Sequence, residues 1–167
     1  MPELELAISA TTRERRPGEE NGREYWFIPR EEFDRRLAAG EFIEHVDFPW
    51  GQSSGTLRSE LDRISASGRI PLLDLETVGA LRIRDEVPGS VTIFVTAPSF
   101  DELERRLRDR ATESSGEIGE RLTLAHEQLE LAQEFDHLVV NDDLERAAAE
   151  LEEIVRAALA GSYHSPP

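Results

Sequence analysis

The sequence predicts an α/β fold in which a parallel sheet lies between two layers of helices, with a small mixed-β insert near the N-terminus. Short apolar segments typical of strands buried on both faces occur at Ile70–Leu75, Val91–Thr96 and His137–Val140. Segments with helical spacing alternate with them, which is the pattern of a parallel sheet. Shorter alternating segments between Tyr25 and Phe48 predict the insert.

The first half of the chain predicts three strands and two helices, separated by polar loops. Gly40 and Gly68 follow the helical segments directly, as glycines that end helices do. The predicted strands are Leu4–Ser9, Tyr25–Ile28 and Glu41–Phe48, the helices are Arg30–Ala39 and Thr56–Ser67, and the loops are Thr11–Asn21 and Pro49–Gly55.

The second half predicts four helices around the last two buried strands. A polar segment, 111–117, separates the two middle helices, and we expect the tail, 161–167, to be disordered or to lie on the surface. The predicted helices are Thr77–Glu86, Phe100–Arg110, Ile118–Phe135 and Asp143–Ala160.

Length and composition favour one globular domain. The chain has 167 residues, of which 38% are hydrophobic, and no apolar stretch approaches the roughly 20 residues of a membrane helix. A basic segment followed by an apolar one is absent at the N-terminus, so we expect a cytoplasmic protein. Because there is no cysteine, disulfides, thiolate catalysis and cysteine-bound metal are excluded.

The charges are strongly biased. With 35 acidic and 19 basic residues the net charge is -16, a field that repels nucleic acid and anionic lipid, so we expect neither as a partner. Every basic residue is arginine. Without lysine, the chain cannot form a Schiff base or supply the lysine of a phosphate-binding P-loop.

The segment from Ser9 to Phe27 carries the most specific pattern. Its sequence is SATTRERRPGEENGREYWF, and it places arginines beside hydroxyl residues directly after a predicted strand. Such arginines can offer planar, bidentate donors to a phosphate. Alternatively, they form a solvated loop by pairing with the neighbouring Glu14, Glu19 and Glu20.

As a whole this segment resembles the guanylate kinase family, whose GMP-binding signature is Ser-x-Thr-Thr-Arg-x-x-Arg-x-Gly-Glu-x-x-Gly-x-x-Tyr-x-Phe. The resemblance covers about residues 4–158 and includes Glu41–Glu44, Leu73–Glu76, the paired helices Leu103–Arg110 and Arg121–Ala132, and Val139–Leu144. It implies a nucleoside-monophosphate-kinase fold over residues 1–160, with a GMP-binding insert at about 10–56 and a lid with flanking helices at about 100–135.

The resemblance also implies roles for individual residues. Carboxylate Glu44 would accept hydrogen bonds from the guanine edge, a pairing that adenine cannot make. The implied GMP site comprises Arg13, Arg16 and Tyr25 at the phosphate, Ser9, Thr56 and Glu44 at the base, and Glu76. The implied lid arginines are Arg106, Arg110 and Arg121, and Asn141 would lie near the adenine of ATP. Since Arg106 and Arg110 are four residues apart near Glu102, they could instead form helix-surface ion pairs.

The sequence departs from the family at the donor site. A strand, a glycine-rich phosphate loop ending in Gly-Lys-Ser/Thr and a helix would precede Leu4, and no such motif occurs in these 167 residues. The family uses ATP and Mg²⁺, but the missing unit would hold them. We therefore expect impaired or absent GMP phosphorylation and predict no certain cofactor or metal ligand.

The missing strand would lie between Ile70–Leu75 and Val91–Thr96. We expect those strands to pair directly, or another segment or subunit to enter between them.

The acceptor site departs too. The family's Gly-Asn-Tyr-Tyr-Gly loop reads GQSSG at 51–55, so serine replaces a phosphate-binding tyrosine. Its Asp-x-Asp-x-Gln-Gly motif reads DLETVG at 74–79, with Glu76 on a longer side chain and Val78 without a polar group.

Three functions stay open on the sequence. The first is a homologue that binds GMP or a related guanine nucleotide through the retained acceptor site. The second is a scaffold module in which that site binds a phosphorylated peptide or protein. The third is that the reading frame continues upstream of Met1 into an ordinary kinase. The oligomeric state, including a homo-oligomer, also stays open.

Overall fold

A computed structural model describes residues 1–109 and 115–161. The chain divides into two compact units, Met1–Ile83 and Arg84–Pro167. The α/β class predicted from the sequence is confirmed, and helices alternate with parallel strand pairs in both units.

The first unit contains two sheets. One is a parallel pair of β1 (Leu4–Leu6) and β6 (Ile70–Leu72). The other has four strands in the order β3-β2-β5-β4 and is mixed, because β2 runs parallel to β3 while β5 runs antiparallel to both of its neighbours. Its strands are β2 (Ala10–Thr11), β3 (Trp26–Phe27), β4 (Phe42–Asp47) and β5 (Ser53–Leu57).

Helices α1 (Arg30–Ala38) and α2 (Arg58–Ala66) belong to the first unit, and α3 (Thr77–Glu86) begins there. Phe33 of α1 is fully buried and packs on Phe42 of β4 with 4.5 Å between ring centroids. Ala10, Leu57 and the partly buried Ile28 and Leu37 complete this core. The core therefore fixes α1 against the sheet that carries most of the predicted acceptor residues.

The second unit is built on a parallel pair of β7 (Ile93–Thr96) and β8 (His137–Val140). Around it are α4 (Phe100–Asp109), α5 (Ser115–Glu130), a 3₁₀ turn at Ala132–Glu134 and α6 (Leu144–Leu159). Asp143 caps α6, since its side chain accepts a hydrogen bond from the backbone N–H of Arg146 at 2.9 Å. The predicted tail, apart from Gly161, lies outside the described residues.

Three local predictions are wrong. The predicted strand Leu4–Ser9 ends at Leu6, and Thr11, predicted in a loop, belongs to β2. Residues 53–57 form strand β5 rather than the end of a loop and the start of a helix, so α2 begins at Arg58 and not at Thr56. The predicted Ile118–Phe135 helix ends at Glu130 and is followed by the 3₁₀ turn. At residues 53–57, pairing with β2 and β4 overrides the loop-like composition of GQSSG.

The parallel strands lie in separate two-stranded sheets. Among the described residues β6 pairs with β1 and β7 pairs with β8. Apolar side chains on the β1–β6 pair are correspondingly exposed: Leu6 by 55%, Ile70 by 47% and Leu72 by 41%. Entry of another segment or subunit beside β6 stays a prediction.

Candidate functional site

A buried carboxylate lies at the centre of the four-stranded sheet. Glu44 on β4 is 3% exposed and is paired across the sheet with Thr56 on β5, which is fully buried. The hydroxyl and the backbone N–H of Thr56 both favour the ionised form of the Glu44 carboxyl. The Ser9 hydroxyl lies 3.4 Å from the Thr56 hydroxyl. Three residues predicted to contact the guanine base are therefore adjacent, and we call Ser9, Glu44 and Thr56 the base cluster.

The close approach of β4 and β5 depends on Gly55. A Cβ at this position would lie 2.7 Å from the backbone oxygen of Glu44 and 2.9 Å from the Phe42 ring. A glycine in a strand commonly marks such an approach of two backbones. Gly55 thus allows the neighbouring Thr56 to reach the Glu44 carboxylate.

The electrostatics of Glu44 result from opposing effects. Burial raises the pKa of Glu44 above its ordinary value because the charged form loses hydration. The hydroxyl and backbone N–H of Thr56, with smaller electrostatic contributions from His45 and Arg82, favour the ionised form and oppose that rise in pKa. Neighbouring protein groups rather than bulk water therefore surround this carboxyl.

A second group of residues surrounds Arg13. Its Nη1 and Nη2 atoms each donate to one carboxylate oxygen of Glu19 at 2.8 Å, in a bidentate pair. The guanidinium carbon lies 5.2 Å from the Tyr25 ring centroid and 5.3 Å from that of Phe27, within cation–π range. The backbone N–H of Arg16 donates to the same Glu19 carboxylate at 2.7 Å, while the Arg16 side chain is exposed. We call Arg13, Arg16, Glu19 and Tyr25 the arginine cluster.

Glu19 organises this cluster. The hydrogen bond from the Arg13 side chain lowers the pKa of Glu19 to about 2, assisted by the Arg16 backbone and the charges of both arginines. The pairing of Arg13 with Glu19 is one that the sequence left open as an alternative to phosphate binding. The signal for Glu19 is its place in the Arg-x-x-Arg-x-Gly-Glu segment, but this pattern alone does not indicate that Glu19 positions Arg13.

Strand β2 connects the two clusters. Ser9 directly precedes β2 and Arg13 lies two residues beyond it, while Ala10 and Thr11 pair with β5 on one side and β3 on the other. Tyr25 directly precedes β3. The clusters thus belong to one sheet, and their convergence on one cleft stays a prediction.

Glu76 lies outside that sheet. It directly precedes α3, where its carbonyl oxygen accepts the backbone N–H of Ala80 at 2.9 Å, and its side chain is half-buried. Val78, the other changed position of this motif, is 69% exposed.

The second unit carries the predicted lid and donor residues. The Nε atom of Arg106 donates to Glu102 at 2.7 Å on α4, the helix-surface pair that the sequence allowed. Arg121 is half-buried on α5, and Arg110 lies outside the described residues. Asn141 directly follows β8, and its backbone N–H donates to the carbonyl of Thr96 at 2.7 Å. Asn141 is therefore at the carboxyl end of a parallel strand, where ligands of α/β proteins bind.

Residues 1–109 and 115–161 contain neither a metal-binding cluster nor a helix that could span a membrane. No group of three or more histidine, aspartate or glutamate side chains is arranged to hold a metal ion. None of the helices combines the length and the apolarity needed to span a bilayer.

The comparison with protein families decides the assignment. The family profile described as guanylate kinase matches residues 3–158. The chain belongs to the guanylate kinase family. The resemblance inferred from the Ser9–Phe27 segment is thereby confirmed.

Individual guanylate kinases agree with this. The chain is similar to guanylate kinase of Rubrobacter xylanophilus, with 45% identity over 161 residues that cover 96% of this chain and 84% of the relative. For guanylate kinase of Symbiobacterium thermophilum the identity is 42%, covering 93% and 74% respectively. The crystal structure of guanylate kinase from Anaplasma phagocytophilum matches with a TM-score of 0.78 and 32% identity, covering 93% of this chain and 76% of that one.

Proposed function

We propose that this member of the guanylate kinase family binds GMP or a related guanine nucleotide, with the base at the base cluster and the phosphate at the arginine cluster. The observation that carries the proposal is the buried Glu44 carboxylate beside the Ser9 and Thr56 hydroxyls. An ionised carboxylate only accepts hydrogen bonds, whereas a hydroxyl both donates and accepts. This donor and acceptor set suits a planar base.

The choice of guanine over adenine follows from the hydrogen-bonding groups of the two bases. Guanine presents its N1–H and its exocyclic amino group as neighbouring donors, which one carboxylate can accept together. Adenine presents an acceptor at N1, so a carboxylate there faces a lone pair and loses hydration without compensation. Burial of Glu44 makes this mismatch more costly, because water cannot bridge it.

The phosphate role of the arginine cluster rests on charge and shape. A guanidinium is a planar fork that binds carboxylate and phosphate oxygens in the same bidentate manner. Arg13 is already oriented by Glu19, Tyr25 and Phe27. A nucleotide phosphate carries more negative charge than one carboxylate, so it competes with Glu19 for Arg13 and recruits Arg16. Glu76 is a further proposed contact of GMP, and Asn141 is proposed to lie near the adenine of a donor nucleotide.

We also propose that ATP-dependent phosphorylation of GMP by these 167 residues is impaired or absent. The residues present do not fit Mg²⁺-ATP: there is no lysine, and the described residues contain no acidic cluster for the metal. Arg106, Arg110 and Arg121 could neutralise charge on a transferring phosphoryl group, but charge neutralisation does not position the donor.

Calorimetry with GMP, AMP and a generic phosphopeptide tests the binding proposal. We expect GMP to bind more tightly than AMP, and Glu44→Ala to remove this preference by lowering GMP affinity about ten- to a hundredfold. The control is Glu32→Ala, which also removes one carboxylate but on α1, outside both clusters, where Glu32 pairs with Arg35 and Arg36. Equal affinities of the unaltered protein for GMP and AMP would contradict the guanine assignment. Binding of the phosphopeptide alone would favour the scaffold function instead.

A further inference from the structure

A helical glycine lies directly against the Glu44 carboxylate. Gly79 is buried and is the third residue of α3. A Cβ built on Gly79 would meet only Glu44 among its three nearest atoms: Oε2 at 2.7 Å, Cδ at 3.3 Å and Cγ at 3.6 Å. The first distance is shorter than real Cβ contacts, so any larger residue must displace the carboxylate or the helix.

The backbone of Gly79 does not require glycine. Its φ is not among the positive values of this chain, in contrast to Gly40 and Gly68, which end helices with φ of 69° and 76°. A glycine in ordinary helical conformation destabilises a helix relative to alanine. The space taken by the Glu44 carboxylate is therefore the structural reason for a glycine here.

Three groups on two elements surround the Glu44 carboxylate. Thr56 of β5 favours its ionised form through its hydroxyl and backbone N–H. The first turn of α3, the helix end that favours an anion, lies against the same carboxylate at Gly79. Arg82, one turn further along α3, adds a favourable positive charge.

We propose that Gly79 is a specificity-determining positioning residue, which leaves the space that the Glu44 carboxylate needs to present its oxygens to guanine. This inference rests on the proposed GMP binding. Gly79 acts through Glu44 and does not itself recognise the base. A side chain at position 79 changes the direction of the carboxylate and so affects base selectivity more than phosphate binding.

A matched pair of substitutions tests this proposal. Gly79→Ala and Gly119→Ala both add one methyl group to a helix interior, but a Cβ on Gly119 in α5 meets nothing within 4 Å. We expect Gly79→Ala to reduce the ratio of GMP to AMP affinity about ten- to a hundredfold, the effect of losing one charged hydrogen bond, with AMP affinity unchanged. Gly119→Ala should leave the ratio unchanged.

The same substitution in the Glu44→Ala background completes the cycle. Without the carboxylate, Gly79→Ala meets no obstacle, so it should raise the thermal unfolding midpoint as Gly119→Ala does. In the unaltered background it should lower the midpoint or raise it less than Gly119→Ala. This stability readout needs no nucleotide and reports the contact alone.

The outcomes separate the two proposals. If the unaltered protein does not prefer GMP, the proposed function fails whatever the variants do. If it prefers GMP and Gly79→Ala keeps the full preference, GMP binding stands and the positioning role of Gly79 is overturned. Equal effects of Gly79→Ala on GMP and AMP would also overturn it, because a general disturbance of the fold weakens both.

Discussion

The Glu60 carboxylate accepts a hydrogen bond from the backbone N–H of Ile8 at 3.1 Å, across 52 residues of chain. Glu60 is on α2 and is 5% exposed, and Arg63 donates to both of its oxygens. The contact therefore ties α2 to the segment that enters β2. Since Ser9 follows Ile8 directly, Glu60 helps to set where the Ser9 hydroxyl lies beside Thr56.

Replacing Glu60 should destabilise the protein. Glu60→Ala leaves the Ile8 N–H without this acceptor, so we expect the free energy of unfolding to fall by about 1.5–3 kcal/mol. The hydrogen bonds from Arg63 lower the pKa of Glu60, with a smaller contribution from Ile8. A carboxylate whose pKa is lowered in the folded state contributes stability at pH values above its unfolded-state pKa. This contribution is lost as the pH falls through the folded-state pKa. The difference in urea stability between the two proteins should thus be constant near neutral pH and shrink in acid.

Glu32→Ala is the control for this prediction. Glu32 occupies the third position of the nine-residue α1, as Glu60 does in α2, and it also bonds to arginine side chains, but no backbone contact from a distant strand is involved. We expect a smaller loss of stability from Glu32→Ala. An equal loss from both variants would show that the Ile8 contact adds nothing.

Neutralising Glu44 should increase stability while it removes guanine preference. Because burial raises the pKa of Glu44, the folded protein binds this proton more tightly than the unfolded chain. Stability from this group is therefore greatest in acid and is lost as pH rises through the raised pKa. Glu44→Gln should raise the free energy of unfolding at neutral pH, and urea titrations at pH 4 and pH 7 should show the gain only at the higher pH. A loss of stability at neutral pH would indicate that the favourable effect of Thr56 on the ionised form outweighs the desolvation of the carboxylate.

The sequence predicted the helices more accurately than the strands of the insert. Thr77–Glu86 has the predicted bounds, because its limits follow from local propensity. Strand β5 was missed since Ser53, Ser54 and Gly55 are typical of loops, and their strand conformation depends on partners. Ser53 is fully buried, donates to Asp47 and accepts from Arg30 at 2.8 Å, which satisfies a hydroxyl that the pattern alone would place in water.

The candidate site was predictable as residue identities but not as contacts. The signature resemblance indicated Arg13, Glu44 and Thr56, whereas the contact of Gly79 with Glu44 emerges only from the structure. Glu19 was one of three acidic neighbours that could pair with the arginines, and the sequence does not select it from Glu14 and Glu20. The role of Gly79 depends on the approach of α3 to a carboxylate 35 positions earlier in the sequence, which no local pattern encodes.

In the first unit, truncating a buried side chain should cost more unfolding free energy than truncating an exposed one. Ile64 of α2 is fully buried, so Ile64→Ala should cost about 2–5 kcal/mol of unfolding free energy. Leu72 of β6 is 41% exposed, and Leu72→Ala should cost about 1 kcal/mol or less. Urea denaturation of both variants measures the difference. A cost at Leu72 comparable to that at Ile64, which rises with protein concentration, would mean that a second subunit covers β6.

The N-terminal cap of α6 should contribute more to the free energy of unfolding than the ion pair beside it. Asp143→Ala removes the acceptor for the Arg146 backbone N–H and should lower the unfolding free energy by about 0.5–2 kcal/mol. Asp142→Ala removes an exposed ion pair with the Arg146 side chain and a hydrogen bond from the backbone N–H of Asp143 at 2.6 Å, both at the surface, so its effect should be smaller. Thermal unfolding followed by circular dichroism compares them. The opposite order would show that the ion pair, rather than the cap, fixes the start of this helix.

A coupled assay with GMP, ATP and Mg²⁺ should give turnover far below the roughly 1–100 per second typical of kinases. Arginine charge stabilisation contributes about 10³–10⁵ in rate, while positioning of the two reactants contributes about 7–11 kcal/mol, and Arg106, Arg110 and Arg121 can supply only the first of these. The Glu44→Ala protein, purified in the same way, reveals any contaminating host kinase, since such activity would persist in it. Turnover within the kinase range that Glu44→Ala abolishes would mean that other residues of this chain hold the donor phosphates.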